Sequence, residues 1–206
     1  MASDNTVFVV DDDEDVRGSV GALLESAGMQ AEIYESARAF LNAYVAGRSG
    51  CIIADVRMPD MDGLELLEEL RRMGVALPVI VVTGHADVPL AVRAMKSGAI
   101  DLIEKPFDPN QLIETVKRGL AEAADARETA AVAQAAAQRI AGLSQRERQV
   151  LELLVAGRSN KVIAYELDIS PRTVEIHRAH VMEKMDARSL SDLVRAALAA
   201  GIAVPK

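Results

Sequence analysis

Five times in its first 120 residues this chain passes from a short apolar run to a longer stretch with helical spacing. Thr6 to Val10 is β-branched and aromatic and reads as a buried strand. After Asp11-Asp12-Asp13, the residues Val16, Val20, Leu23, Leu24 and Ala27 recur at helical spacing. They stop at Gly28, a residue free to take the positive φ that ends a helix. The unit then repeats. Ala31 to Tyr34 precedes a helix opened by Ser36 and holding Ala39, Phe40, Leu41 and Tyr44, and Cys51 to Asp55 precedes Leu64, Leu67 and Leu70. Val79 to Thr83 precedes Leu90, Val92 and Met95, and Ile100 to Ile103 precedes Leu112, Ile113 and Val116. Strands apolar on both faces need cover on both faces. The pattern therefore predicts an α/β fold over residues 1–120, a doubly wound five-stranded parallel sheet. Sheets of this kind gather chemistry beyond the C-terminal ends of their strands.

The rest of the chain has a different character. Residues 121–141 hold 11 alanines and neither Pro nor Gly, which predicts a helical linker that Gly142 breaks. From Leu143 onward no strand pattern appears; four short amphipathic helices are predicted near 145–156, 160–167, 171–185 and 189–200, an all-α domain over 142–206. Charge divides the same way. Residues 1–120 carry 11 Lys and Arg against 20 Asp and Glu, whereas residues 143–206 carry 10 against 8. An acidic front suits a cation site and a mildly basic back suits a module facing phosphates. No apolar run approaches the ~20 residues that cross a bilayer, and Met1-Ala2-Ser3-Asp4-Asn5 carries no basic leader. A single cysteine, Cys51, excludes an internal disulfide and a cysteine-based metal cluster, and reads as a buried small hydrophobe. A cytoplasmic protein with no membrane partner is expected.

The predicted strand ends deliver Asp11, Asp12 and Asp13 from the first strand, Asp55 from the third, Thr83 from the fourth and Lys105-Pro106 after the fifth. Each alone is ordinary loop chemistry. Together, carboxylates converging on one sheet edge repel one another unless a cation sits among them. Mg2+ fits, because it takes oxygen ligands, keeps several waters and needs only one or two protein carboxylates. A hydroxyl at Thr83 and an ammonium at Lys105 are suitable partners for phosphoryl oxygens. Asp55 would then be the nucleophile of an acyl-phosphate chemistry. The spacing of an EF-hand is absent, as are a P-loop and GxGxxG. An aspartyl-nucleophile phosphatase built on Asp11 and Asp13 is the competing reading, although no substrate-binding cap follows and Asp55 would be idle.

In the C-terminal region a short helix from Asn160 and Lys161 through Ile163, Ala164 and Leu167 is followed by Ile169-Ser170-Pro171-Arg172-Thr173-Val174. Ser170 suits an N-cap and Pro171 a first helical position. Two short helices joined by about three residues form a helix-turn-helix pattern, whose second helix lies in the major groove of DNA. Arg172, Glu175, His177 and Arg178 are its candidate base-facing residues, with Lys161 and Thr173 better placed for phosphates. A helical protein-interaction domain is the alternative.

Two stretches resemble known families. Residues 5–120 resemble the receiver domain of two-component response regulators, through Val9-Val10-Asp11-Asp12, Ala54-Asp55-Val56-Arg57-Met58-Pro59-Asp60-Met61-Asp62-Gly63, Val82-Thr83-Gly84-His85 and Glu104-Lys105-Pro106-Phe107. The resemblance implies that Asp55 is the phosphoacceptor, and that Asp11, Asp12, Asp55 and the Arg57 carbonyl hold Mg2+. It further implies that Thr83 is the switch hydroxyl, that Lys105 contacts the phosphoryl group, and that Lys105-Pro106 is cis. Arg57 and His85 occupy positions associated with the lifetime of the phosphate. Leu102 departs from the pattern, since receivers often carry a rotating Tyr or Phe there. Residues 143–200 resemble the LuxR-type helix-turn-helix, through Leu143-Ser144-Gln145-Arg146-Glu147-Arg148, Ser159-Asn160-Lys161, Ile163-Ala164, Ile169-Ser170, Thr173-Val174, His177 and Lys184-Met185. The whole chain is most similar to response regulators of the FixJ type. That implies a non-enzymatic regulator phosphorylated by a sensor histidine kinase of the FixL type. It would form a homodimer when phosphorylated, through the surface near residues 87–105, bind double-stranded promoter DNA, engage RNA polymerase and activate nitrogen-fixation or microaerobic genes. Other inputs, or a protein-binding output, are the alternatives.

Overall fold

A computed structural model of the chain describes residues 6–202. They divide into two compact units, with the division after Arg127. The first unit contains β1 (Thr6–Val10), α1 (Glu14–Ser26), β2 (Gln30–Tyr34), α2 (Ala37–Ala43), β3 (Cys51–Asp55), α3 (Gly63–Arg72), β4 (Val79–Thr83), α4 (Val88–Ser97), β5 (Asp101–Glu104) and the start of α5 (Pro109–Ala141). All strand pairs are parallel, in the order β2-β1-β3-β4-β5. The order reverses between β1 and β3, which makes the C-terminal ends of those two strands the switch point where such sheets bind ligands.

Alternation along the strands builds two cores. Phe8, Val10, Ile52, Ala54, Val79 and Val81 face one side and pack with Phe40, Leu64, Leu67, Leu70 and Ala94 from α2, α3 and α4. Val7, Val9, Cys51, Ile53, Ile80 and Val82 face the other and pack with Val20, Leu24, Leu112 and Val116 from α1 and α5. Helix α5 approaches the sheet so closely that a Cβ on Gly119 would lie 2.7 Å from the Cys51 sulfur. Cys51 is fully buried, as its sequence context predicts, and burial pushes its thiol up to about 12.

Helix starts are fixed by short polar side chains that satisfy the free N–H groups of the first turn. Asp13 caps α1, Ser36 caps α2, Asp62 caps α3 in a capping box with Glu65, and Asp87 caps α4. Gly28 takes φ 76 where the sequence predicts the end of the first helix. Small differences have local causes. Helix α1 begins at Glu14, ahead of its first apolar residue, because Asp13 accepts from the N–H groups of Asp15 and Val16. Tyr44 lies beyond α2, its N–H closing the helix on the Phe40 carbonyl while its ring packs 5.7 Å from that of Phe40. The fifth strand runs one residue later than expected, since Ile100 only enters the ladder by donating to the Val79 carbonyl.

Helix α5 is continuous to Ala141, and the N–H of Gly142 closes its last turn. The second unit then holds α6 (Gln145–Val155), α7 (Asn160–Glu166), α8 (Pro171–Lys184) and α9 (Leu190–Ala199). Its core joins Ile140 with Val150, Leu151, Leu154, Ile163, Val174, Val181, Met185, Leu193 and Ala197. Among the described residues no helix is long and apolar enough to cross a membrane.

Candidate functional site

The parallel register brings four strand ends level. Val10 lies beside Ala54, Asp55 beside Val82, and Thr83 beside Glu104. The ladders continue one residue past the strands: Asp11 N–H donates to the Tyr34 carbonyl, Val56 N–H to Val82, and Lys105 N–H to Thr83. Asp11, Asp55 and Thr83 are consequently buried at the sheet edge. The Lys105 ammonium lies 2.6 Å from Asp11 Oδ2 and 2.6 Å from Asp55 Oδ1, bridging the two carboxylates. The Lys105-Pro106 bond that follows is cis, as the family resemblance implies.

Burial pushes the Asp55 carboxyl up, with Asp11 adding to the effect and Lys105 opposing it. Burial works against the charge on Lys105, yet its two carboxylate partners outweigh it and raise its affinity for the proton. Asp55 Oδ2 also accepts from Arg57 N–H at 2.5 Å, and the Arg57 side chain is exposed. The Thr83 hydroxyl donates to the His85 carbonyl at 3.1 Å and accepts from His85 N–H at 3.3 Å.

The three consecutive aspartates have different surroundings. Asp11 is buried against Lys105, Asp12 is exposed, and Asp13 is engaged as the cap of α1. Among the described residues no three Asp, Glu, His or Cys side chains converge as a ready-made metal cluster. The two buried carboxylates of Asp11 and Asp55 are still hard-oxygen donors of the kind Mg2+ accepts, because that ion keeps several waters and needs only one or two protein carboxylates. One methyl group would disturb this arrangement. A Cβ on Gly63 would lie 2.3 Å from the Asp55 carbonyl oxygen, so the turn from Asp55 into α3 closes only over a glycine.

In the second unit Ser170 caps α8 and Pro171 stands in its first turn, as the sequence predicts. Val174 and Val181 are buried, so the opposite face of the helix presents Arg172, Glu175, Ile176, Ala179 and His180 to solvent. Lys161, on α7, is also exposed. Of the other candidates, Thr173 shares a 2.8 Å hydrogen bond with Ser170, and half-buried Arg178 reaches Asn160 at 3.4 Å. His177 is half-buried, and its Nδ1 is enclosed without a hydrogen-bond partner among the described residues. Ile176, Ala179 and His180 are exposed on α8 and were not among the base-facing candidates of the sequence. Sequence reasoning missed Glu147, a buried residue of α6 whose carboxylate lies 2.7 Å from the Lys184 ammonium on α8. The spacing Ser144-x-x-Glu147 is a capping box, and that signal was available.

Family models match both units. Residues 7–117 match the response regulator receiver domain, and residues 141–197 match the bacterial regulatory proteins of the luxR family. The chain belongs to the FixJ-like response regulators. It is 56% identical over 197 residues to the transcriptional regulatory protein FixJ of Azorhizobium caulinodans, covering 96% of this chain and 93% of the relative. It is 50% identical over 199 residues to FixJ of Rhizobium meliloti, covering 97% and 98%. Among solved structures it is similar to the response regulator StyR, with a TM-score of 0.83 and 41% identity over 94% of this chain and 98% of that one. Full-length FixJ from B. japonicum matches with a TM-score of 0.58 and 49% identity over 97% and 98%. A response regulator with this pair of domains is a transcriptional regulator of a two-component system, taking its input from a sensor kinase and acting on DNA.

Proposed function

We propose that Asp55 accepts a phosphoryl group from a sensor histidine kinase of the FixL type, and that the modification controls dimerisation and promoter binding by the second unit. The observation that carries this reading is the buried Asp11-Lys105-Asp55 bridge, with 2.6 Å on either side of the ammonium. An oxygen of Asp55 forms the new bond to phosphorus as the P–N bond of the kinase phosphohistidine breaks, and the imidazole leaves. Lys105 supplies a positive charge for the equatorial oxygens. Thr83, one strand away, offers its hydroxyl to the phosphoryl group once it gives up the His85 carbonyl. Asp11, Asp12, Asp55 and the Arg57 carbonyl would hold Mg2+, which supplies charge neutralisation for the transferring group. Asp13 caps α1, so the Asp11 and Asp13 pair of a phosphatase is not free to work together. Beside Lys105, Val16, Val20, Leu23, Pro106 and Phe107 line an apolar groove of about 610 Å³, a surface suited to the kinase that delivers the phosphohistidine. Arg57 and His85 tune hydrolysis by admitting or excluding the attacking water.

Incubated with acetyl phosphate and Mg2+, the protein gains one adduct of about 80 Da. Chelation with EDTA prevents it. An adduct formed equally well in EDTA contradicts the metal assignment.

In the second unit, α8 enters the major groove. Its exposed Arg172, Glu175, Ile176 and Ala179 face the bases, and Thr173, His177 and Arg178 flank them. Lys161 contacts phosphate. Ile176, 51% exposed in mid-helix, is suited to a thymine methyl group. On a selected DNA site, Ile176→Ala is expected to lose about 1–2 kcal/mol for that site alone. Lys161→Ala weakens all sequences alike and lowers the salt slope by about 1. Equal losses on specific and random DNA from Ile176→Ala would exclude a base contact. The target genes expected from the relatives are those of nitrogen fixation or microaerobic growth, activated through contact with RNA polymerase.

A further inference from the structure

We infer that Glu104 is a positioning residue that latches the loop between β4 and α4 in its resting conformation and so opposes the phosphorylation switch. The inference rests on the assignment of Asp55 as phosphoacceptor. Glu104 ends β5 as the register partner of Thr83. Its carboxylate reaches across to the loop and accepts from Ala86 N–H at 2.9 Å. The preceding residue, His85, is folded back on Thr83 through both hydrogen bonds of the threonine hydroxyl. Residues 83–86 are thus held from two sides, by the hydroxyl from within and by a charged acceptor from without. Hydrogen bonds to an ionised acceptor are the stronger kind.

What the loop holds is a helix with little grip of its own. Ala94 is the only fully buried residue of α4 and Leu90 packs partly against the core, whereas Val88, Val92 and Met95 are 76%, 46% and 46% exposed. The far end of α4 is clamped to α3, where the Arg71 guanidinium donates to the Ser97 carbonyl at 2.9 Å and the Ser97 hydroxyl to Glu68 at 3.3 Å. A helix fixed at its C-terminal end and lightly packed along its length pivots from its N-terminal end, where the Ala86–Glu104 bond lies. Drawing the Thr83 hydroxyl toward a phosphoryl group breaks both bonds to His85 and pulls Ala86 away from Glu104. A bond that this movement breaks favours the resting state and biases the equilibrium by its own strength.

The test uses the full chain as wild type, Glu104→Ala and Glu104→Gln, titrated with beryllofluoride and Mg2+ as a phosphoryl mimic. Dimer formation and amide exchange at residues 84–87 are read together. Glu104→Ala is expected to lower the beryllofluoride midpoint about tenfold and to speed exchange at Ala86 before any mimic is added. Glu104→Gln keeps an acceptor oxygen but loses the charge, and its midpoint is expected to fall between those of wild type and Glu104→Ala. A Glu104→Ala midpoint equal to that of a responding wild type overturns the latch alone. A wild type that ignores beryllofluoride overturns the Asp55 assignment, and the latch with it.

Discussion

Replacing Gly63 with alanine is expected to destabilise the first unit by about 3 kcal/mol and to slow phosphorylation of Asp55 roughly a hundredfold. The new Cβ would stand 2.3 Å from the Asp55 carbonyl oxygen and 3.0 Å from its carbon. Both neighbours are backbone, so no rotamer change relieves the clash, and the strand end itself must move. Asp55 is held by two contacts that depend on its position, Lys105 at one oxygen and Arg57 N–H at the other. A shift of about 1 Å is enough to cost two orders of magnitude in a reaction that relies on alignment. Thermal unfolding and the rate of adduct formation from acetyl phosphate report the two effects separately. Gly18→Ala is the control, because its Cβ meets nothing within 4 Å and alanine favours the helix. A Gly63→Ala protein with wild-type stability and rate would show that the turn adjusts freely.

Glu147→Ala is expected to cost the second unit about 2–3 kcal/mol, lowering its melting temperature by roughly 10 °C and weakening DNA binding with it. The residue is 4% exposed and does two things at once. It completes the capping box of α6 by accepting from Ser144 N–H at 2.8 Å, and it pairs with Lys184 on α8 at 2.7 Å. His180 of α8 also lies 3.7 Å away. The carboxylate therefore ties α8, the helix proposed to enter the major groove, to its scaffold. Lys184 is 44% exposed, which keeps the pair below the full value of a buried one. The Lys184 ammonium first, and the Ser144 N–H second, hold the Glu147 carboxyl down to about 2. A depressed carboxylate stabilises the fold fully above its ordinary value of 4.5, and that contribution is lost as the pH falls from there through about 2. The wild-type unit should lose stability across that window, whereas Glu147→Gln should be less stable at neutral pH and flatter across it. Parallel pH curves for the two proteins would assign the acid sensitivity to other carboxylates.

The sheet was legible because its three central strands, β1, β3 and β4, are buried throughout and apolar along most of their length, and helical spacing recurs behind each strand. Once the strand ends were placed, Asp11, Asp55, Thr83 and Lys105 had to meet, since a parallel register brings every C-terminal end to one edge. The aspartate run was less legible. Asp11, Asp12 and Asp13 look alike as letters, and only the ladder to Tyr34 and the start of α1 send them to three different environments. On α8 the candidates were taken from the front of the helix by residue type, whereas exposure follows the period set by the buried Val174 and Val181. Applying that period to the sequence would have placed Ile176, Ala179 and His180 on the outer face. The Glu147–Lys184 pair spans 37 residues, and no local pattern announces its second half.

The most direct measurement follows mass, sedimentation and DNA affinity together for the full chain and for Asp55→Asn, with acetyl phosphate and Mg2+. Moving the switch from about 1:99 to 99:1 takes ~5.5 kcal/mol, shared between the phosphoryl group and the dimer contact it creates. The expected result is one adduct on the wild type, a shift from monomer to dimer, and tighter DNA binding in the same sample, with none of the three in Asp55→Asn. A dimer that binds DNA equally well in Asp55→Asn, or an adduct that changes neither property, would contradict control of DNA binding through Asp55.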